Sequence, residues 1–130
     1  MHAQAQPTQL PPRPLFATAD INNPARTAAL IEKARSVGEH RGYLLGMVIG
    51  ENSDHAAKER NSNYARDDVI TIFIWQAFGF PGNSNEAQML KRGLPQWIID
   101  ALFRGMDDGV RRAWEEKERG IAAQQQSRNQ

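Results

Sequence analysis

The sequence predicts an all-α protein that folds as a single domain of about four helices. Apolar residues recur at steps of three and four over two long segments, and the one strand-like segment has no partner strand elsewhere in the chain. The length of 130 residues fits one compact domain and is too short for two ordinary ones. We expect a helical domain over residues 23–121, between a flexible, extended Pro/Gln-rich arm (1–22) and a disordered Gln-rich tail (122–130).

The first long helix is predicted from Ala25 to about Ile49. An Asn23 side chain can cap free backbone amides, and Pro24 suits the first helical position. Gly50 supplies the stop. The residues that define the apolar spacing are Leu30, Ile31, Ala34, Val37, Leu44, Leu45 and Val48.

The polar segment Glu51 to Asn63 is predicted to be mostly connector, with a short helical turn over Ala56 to Arg60 that Asp54 caps. The apolar segment Val69 to Phe78 follows it. Its β-branched and aromatic residues suit a strand, but a lone strand would be unpaired, so we predict a central buried helix with Trp75 in the core.

Two more helices complete the prediction. Ser84 or Asn85 caps a short helix over Glu86 to Arg92, which Gly93 and Pro95 end. The last helix runs from Gln96 to about Gly120. Its apolar stripe is Ile99, Phe103, Met106, Val110 and Trp114, and Arg111/Glu115 and Arg112/Glu116 are expected to pair on its outer side.

Small residues are spaced four apart on both long helices, which leaves one side of each nearly free of side chains. A glycine inside a helix costs about 1 kcal/mol relative to alanine, so five interior glycines cost about 5 kcal/mol against a total stability of about 5–15 kcal/mol. These five are Gly38, Gly42, Gly46, Gly105 and Gly109. We expect close packing of the two helices to offset this cost; the alternative is an outward face that receives a partner. The two rows are Ala34, Gly38, Gly42, Gly46, Gly50 and Ala101, Gly105, Gly109, Ala113.

Composition excludes several classes of protein. The formal charge of +1 argues against a polybasic binder, and zero cysteines exclude disulfide scaffolds, cysteine zinc sites and a thiol nucleophile. The three histidines lack metal-ligand spacing, and no phosphate-binding loop or nucleophile elbow is present. We therefore expect no catalytic residue, no metal, no cofactor, no membrane span and no small-molecule substrate, and a cytoplasmic location.

The first functional hypothesis is a non-catalytic interaction protein: an adapter, inhibitor or assembly subunit. It would act by binding another protein or a second copy of itself, either through the glycine face or through exposed aromatic anchors. The candidate anchors are Trp97, which follows Pro95 closely, and Trp114, which lies near a charged helix end. Core packing is the alternative role for each tryptophan.

The second hypothesis is a small helix-turn-helix DNA-binding regulator. The 84–92 helix would be its recognition element, with side chains suited to base and phosphate contacts at Asn85, Gln88, Lys91 and Arg92. The segment KRGLPQWIIDAL, from Lys91 to Leu102, resembles the sequence that follows the recognition helix in some phage-repressor-like domains. No role from that family is transferred, and the net charge of the 81–94 segment is only +1.

Overall fold

The computed structural model of the chain describes residues 13–48 and 55–128, and the elements within these ranges are all helical. Two short 3₁₀ helices, Thr18–Asn22 and Pro24–Arg26, precede four α-helices. The all-α prediction is therefore confirmed. The α-helices are α1 (Thr27–Val48), α2 (His55–Phe78), α3 (Asn85–Gly93) and α4 (Gln96–Arg128).

The chain enters α1 as its sequence predicts, although the first turn is tighter than an α-helix. The Asn23 side chain accepts a hydrogen bond from the Ala25 amide at 3.1 Å. Pro24–Arg26 forms a 3₁₀ turn, and α1 proper begins at Thr27. A 3₁₀ first turn is common at helix starts. The predicted stop at Gly50 lies outside the described residues.

The N-terminal arm is shorter than predicted, because residues 15–22 belong to the folded domain. The amides of Leu15 and Phe16 donate hydrogen bonds to the carbonyl oxygen of Ala77, at 3.1 and 2.9 Å. Phe16 is buried, and its ring lies 6.3 Å from that of Phe78, centroid to centroid. Burial of this aromatic ring holds the segment against the end of α2. Residues 1–12 of the predicted arm lie outside the described residues.

Helix α2 is much longer than predicted. It starts at His55 and includes the helical turn predicted over Ala56 to Arg60, but the connector expected over residues 61–63 is wrong. The proposed cap at Asp54 lies outside the described residues. Good helix formers such as Ala56, Ala57 and Lys58 favour this extension without supplying an apolar period. Residues 13–48 and 55–128 thus form three long α-helices and one short one.

The second half of α2 is the central helix, as predicted. Val69, Phe73 and Ile74 are almost fully buried there. The helix stops at Gly79, whose φ of 80° is a left-handed conformation and whose amide bonds to the Trp75 carbonyl oxygen at 2.9 Å. The largest fully buried side chains of the core are Phe73, Leu30, Ile74, Ile98, Leu102 and Val69.

Helices α3 and α4 follow the predicted starts. The hydroxyl of Ser84, not the side chain of Asn85, caps α3 by accepting a bond from the Ala87 amide at 3.1 Å. Helix α4 runs to Arg128, so the expected disordered tail is helical as far as that residue. Residues 118–127 are exposed, and alanine and glutamine favour their helical conformation.

Candidate functional site

The two glycine rows face each other inside the domain. Contacts of Gly38, Gly42 and Gly46 on α1 advance along α4 in the same direction, so the two helices pack in parallel, and theirs is the most extensive contact between helices. A Cβ added at Gly42 would lie 2.7 Å from the Met106 Cα, and real Cβ atoms essentially never come within 3.0 Å of such a neighbour. The close-packing prediction is confirmed for α1.

The glycines of α4 are equally constrained. A Cβ at Gly105 would lie 2.9 Å from the Glu39 amide nitrogen, and one at Gly109 would lie 2.5 Å from the Tyr43 amide nitrogen. These are backbone atoms, which cannot swing aside as a flexible side chain can. The glycine faces are therefore a backbone-to-backbone seam, and within the described residues they are not open to a partner.

Ion pairs lie along the edge of this seam. Arg112 contacts Glu39 at 3.6 Å and Glu116 at 3.9 Å, and its guanidinium lies 4.0 Å from the centroid of the Tyr43 ring. The predicted Arg112/Glu116 pair is thus present. Arg111 instead pairs with Asp108, at 3.4 Å.

Tyr43 is tied to the same edge. Its hydroxyl donates a hydrogen bond to Glu116 at 2.5 Å. This bond raises the pKa of Tyr43, with further upward contributions from burial and from the Glu116 charge, while Arg112 lowers it. Lys117 donates to the Gly46 carbonyl oxygen at 2.7 Å, which links the two helices near the end of α1.

The opposite side of α1 borders an open groove. Here α1 and α2 approach each other less extensively than α1 and α4 do, and they leave a cavity of about 530 Å³. Its walls combine aliphatic, aromatic and polar side chains from both helices. The lining residues are Ser36, Val37, His40, Arg41, Leu44, Ile72, Trp75 and Gln76.

Trp75 lies in this groove and not in the core. It is only half-buried, so the prediction of a core position is wrong. The segment Val69 to Phe78 is apolar at nearly every position. Its apolar residues therefore show no helical periodicity that would distinguish side chains facing the core from those facing the groove. The α1 side chains that form the other wall were not predicted as site residues either.

The charge inside the groove is compensated locally. Arg41 donates from Nε to the Asp68 carboxylate at 2.8 Å, and its terminal nitrogen Nη2 lies 2.5 Å from the same oxygen. His40 is exposed, as expected for a surface residue. The groove thus combines aliphatic and aromatic side chains, polar groups and an arginine that is paired with an acid.

An apolar strip extends the groove toward the end of α1. We define this strip as Leu44, Met47 and Val48, whose exposed fractions are 42%, 46% and 83%. Leu44 and Val48 are four residues apart and therefore lie on one face of the helix, the face that lines the groove. Exposed apolar groups that continue a concave surface are typical of interaction sites.

The two candidate tryptophan anchors lie elsewhere. Trp97 is half-buried and lines a second cavity, of about 280 Å³, with residues of the 3₁₀ segments and of α1. Trp114 is also half-buried. The two residues are 17 positions apart on α4, about 26 Å along its axis, so they do not form one site.

The candidate nucleic-acid residues are partly engaged within the chain. Lys91 contacts Asp67 of α2 at 2.6 Å, and the Gln88 side-chain amide donates to the Gly82 carbonyl oxygen at 2.7 Å. Asn85 and Arg92 are exposed on α3. Half of the predicted contact set therefore stabilises α3 and the turn before it.

Membrane-spanning helices and clusters of metal ligands are both absent from residues 13–48 and 55–128. No helix among these residues is both long and apolar enough to cross a membrane. Among the same residues, no three histidine, aspartate or glutamate side chains are placed together as a metal site requires. No protein-family model, curated protein or solved structure matches the chain.

Proposed function

We propose that this chain is a non-catalytic protein–protein interaction module, an adapter, inhibitor or assembly subunit, whose docking surface is the groove between α1 and α2. The observation that carries the proposal is Trp75, a large aromatic side chain that is only half-buried on the wall of an open, largely apolar cavity. Tryptophan is among the residues most enriched at interaction hot spots. Burial of an aromatic ring in this position by a partner is energetically favourable.

The shape of the groove favours a helical ligand. Two helices form its walls, and the apolar strip prolongs one wall by about one turn. An amphipathic helix that docks in such a groove presents anchors at positions i, i+3, i+4 and i+7. The volume lies within the range of ligand pockets, but the open side and the strip suit an elongated partner.

The polar residues of the groove support a binding role. Ser36, His40 and Gln76 border the apolar walls and can bond to the edge of a partner, while the Arg41 charge is held by Asp68. A polar rim around an apolar centre is the usual anatomy of a protein interface. No covalent chemistry is assigned to these groups.

A selection from a helical peptide library tests the proposal. The library is selected against the full chain, and the recovered peptides are measured by fluorescence anisotropy against three proteins: the wild type, Leu44→Asp and Met89→Asp. Met89 is 70% exposed on α3 and serves as a control outside the groove.

We expect peptides with the i, i+3, i+4, i+7 apolar pattern that bind the wild type and Met89→Asp equally. Leu44→Asp should weaken them at least about tenfold, since a carboxylate would then be desolvated in the interface. Peptides that bind Leu44→Asp as tightly as the wild type would argue against the groove as a docking surface. So would a selection that recovers no peptides with this apolar pattern.

A further inference from the structure

We propose that the cavity beside Trp97 binds the chain's own segment 10–12, with the sequence Leu-Pro-Pro, so that the N-terminal residues cover this tryptophan. The inference concerns a second site and does not depend on what occupies the groove. The cavity is bordered by aliphatic, aromatic and neutral polar side chains from the 3₁₀ segments, α1 and α4. Its lining residues are Ile21, Asn22, Pro24, Thr27, Ile31 and Trp97.

The fold brings the chain before Leu15 close to this cavity. The Leu15 carbonyl oxygen accepts a hydrogen bond from Arg26 Nη2 at 3.2 Å, and Arg26 directly precedes Thr27 in the cavity wall. The path from Leu15 to the cavity is therefore roughly one arginine side chain plus one Cα–Cα step of about 3.8 Å. A polyproline II chain rises about 3.1 Å per residue, so the five steps from Leu15 back to Leu10 span about 15 Å. That length is sufficient for Leu10 to reach the cavity.

The chemistry of the segment matches the cavity wall. Proline-rich segments adopt the polyproline II conformation and dock on aromatic side chains, which Trp97 supplies. Leu10 is apolar, as are Ile21 and Ile31 in the wall. A polyproline II backbone has no internal hydrogen bonds, so its carbonyl oxygens are open to donors such as the Asn22 side-chain amide. The prolines, the leucine and the backbone of the segment thus each have a counterpart in the cavity.

Size and charge favour this occupant over a helical partner. The volume of about 280 Å³ lies just below the range of about 300–1,000 Å³ typical of ligand pockets, so the cavity suits a few extended residues. A helix, about 10 Å across, is too wide for it. The lining side chains are uncharged, and residues 3–12 also carry no charged side chain. Because a short linker holds the segment at an effective concentration on the order of millimolar, even weak contacts keep it docked.

A paramagnetic label on the N-terminal residues tests the proposal in the full chain. The chain has no cysteine, so Thr8→Cys carries a nitroxide at a single place. In ¹H–¹⁵N spectra, the label should broaden the indole signal of Trp97 more than that of Trp75 in the groove. Addition of Leu10→Asp should lower the docking equilibrium constant at least about tenfold, because a carboxylate would be desolvated in the cavity, and should restore the Trp97 signal. Gln4→Asp, which introduces the same carboxylate outside the segment, should leave the broadening unchanged.

Circular dichroism melting verifies that each variant folds as the wild type does. Equal broadening of the Trp97 signal with and without Leu10→Asp would overturn the proposal. So would stronger broadening at Trp75 than at Trp97, since the N-terminal residues would then lie in the groove between α1 and α2. Acrylamide quenching of a Trp75→Phe, Trp114→Phe protein is a second measurement. Leu10→Asp should increase the quenching of Trp97 emission there, and unchanged quenching would also contradict the proposal.

Discussion

Substitution of single glycines in the seam between α1 and α4 should lower the free energy of unfolding. The loss should be larger where the added Cβ lies closer to backbone atoms of the facing helix. Gly109→Ala tests this directly, because a Cβ there would collide with the Glu39 carbonyl oxygen and would lie 2.5 Å from the Tyr43 amide nitrogen. Ordinary van der Waals contact begins near 3.4 Å. The helices must therefore separate locally by at least about 0.9 Å, the difference between those two distances, because the Glu39 carbonyl oxygen lies nearer still.

The energetic cost follows from this separation. A gap of about 0.5–1 Å forfeits a quarter to a half of the dispersion attraction at each affected contact, and overpacked cores typically lose about 1–3 kcal/mol. Alanine returns about 1 kcal/mol of helix propensity. The overpacking range leaves a net loss of unfolding free energy from near zero to about 2 kcal/mol. We expect the upper end because the obstacles are backbone atoms of α1.

Gly120→Ala in the same helix is the matched control. Nothing lies within 4 Å of a Cβ added at Gly120, so only helix propensity changes. This variant should be as stable as the wild type or up to about 1 kcal/mol more stable. Gly42→Leu, with a much larger side chain against Met106, should fail to fold.

Chemical denaturation followed by circular dichroism at 222 nm measures all three variants against the wild type. The expected order of unfolding free energy is Gly120→Ala at or above the wild type, then Gly109→Ala, with Gly42→Leu unfolded. A Gly109→Ala protein as stable as Gly120→Ala would refute the backbone-to-backbone packing. So would a Gly42→Leu protein with an unchanged melting temperature.

Three further outcomes are expected. In a Tyr64→Phe variant followed by absorbance at 295 nm, Tyr43 should titrate above the ordinary tyrosine pKa of about 10. Because folding raises this pKa, the contribution of Tyr43 to stability is present below pH 10 and is lost as pH rises through the raised value. An ordinary or lower pKa would contradict the bond to Glu116. Arg41→Met should cost at most about 1 kcal/mol in thermal unfolding, since this ion pair is partly exposed, and a much larger loss would contradict that assignment. A mixed-sequence DNA duplex should show no steeply salt-dependent anisotropy change, because Lys91 is paired with Asp67; a log–log slope of several units, abolished by Lys91→Glu with Arg92→Glu, would instead favour the DNA-binding hypothesis.

Much of the fold was predictable because local signals are strong in this sequence. The Asn23 and Ser84 caps and the four-residue spacing of the glycines each have a direct physical basis, and the structure agrees with each. The helical start of α2 was not predictable in the same way. Residues 55–63 have helix-forming composition but no apolar period, so pattern alone predicts a connector.

The candidate site was much less predictable than the fold. A groove between two helices depends on how far apart they lie, and no local pattern encodes that distance. Trp75 falls within an unbroken apolar run, and the run gives no sign of which side chains face the core. Leu44 and Val48 belong to the apolar spacing that predicted α1. That spacing could not show that both side chains are exposed in the structure.

The accessibility of Trp75 is the most direct test of the groove. In a Trp97→Phe, Trp114→Phe protein, Trp75 is the remaining fluorophore of the three tryptophans. In dilute solution, acrylamide should quench its emission readily, and addition of a groove-selected peptide should reduce quenching and shift the emission to the blue. Emission that is already blue-shifted and resists quenching in the dilute, peptide-free protein would show a closed groove and contradict the account.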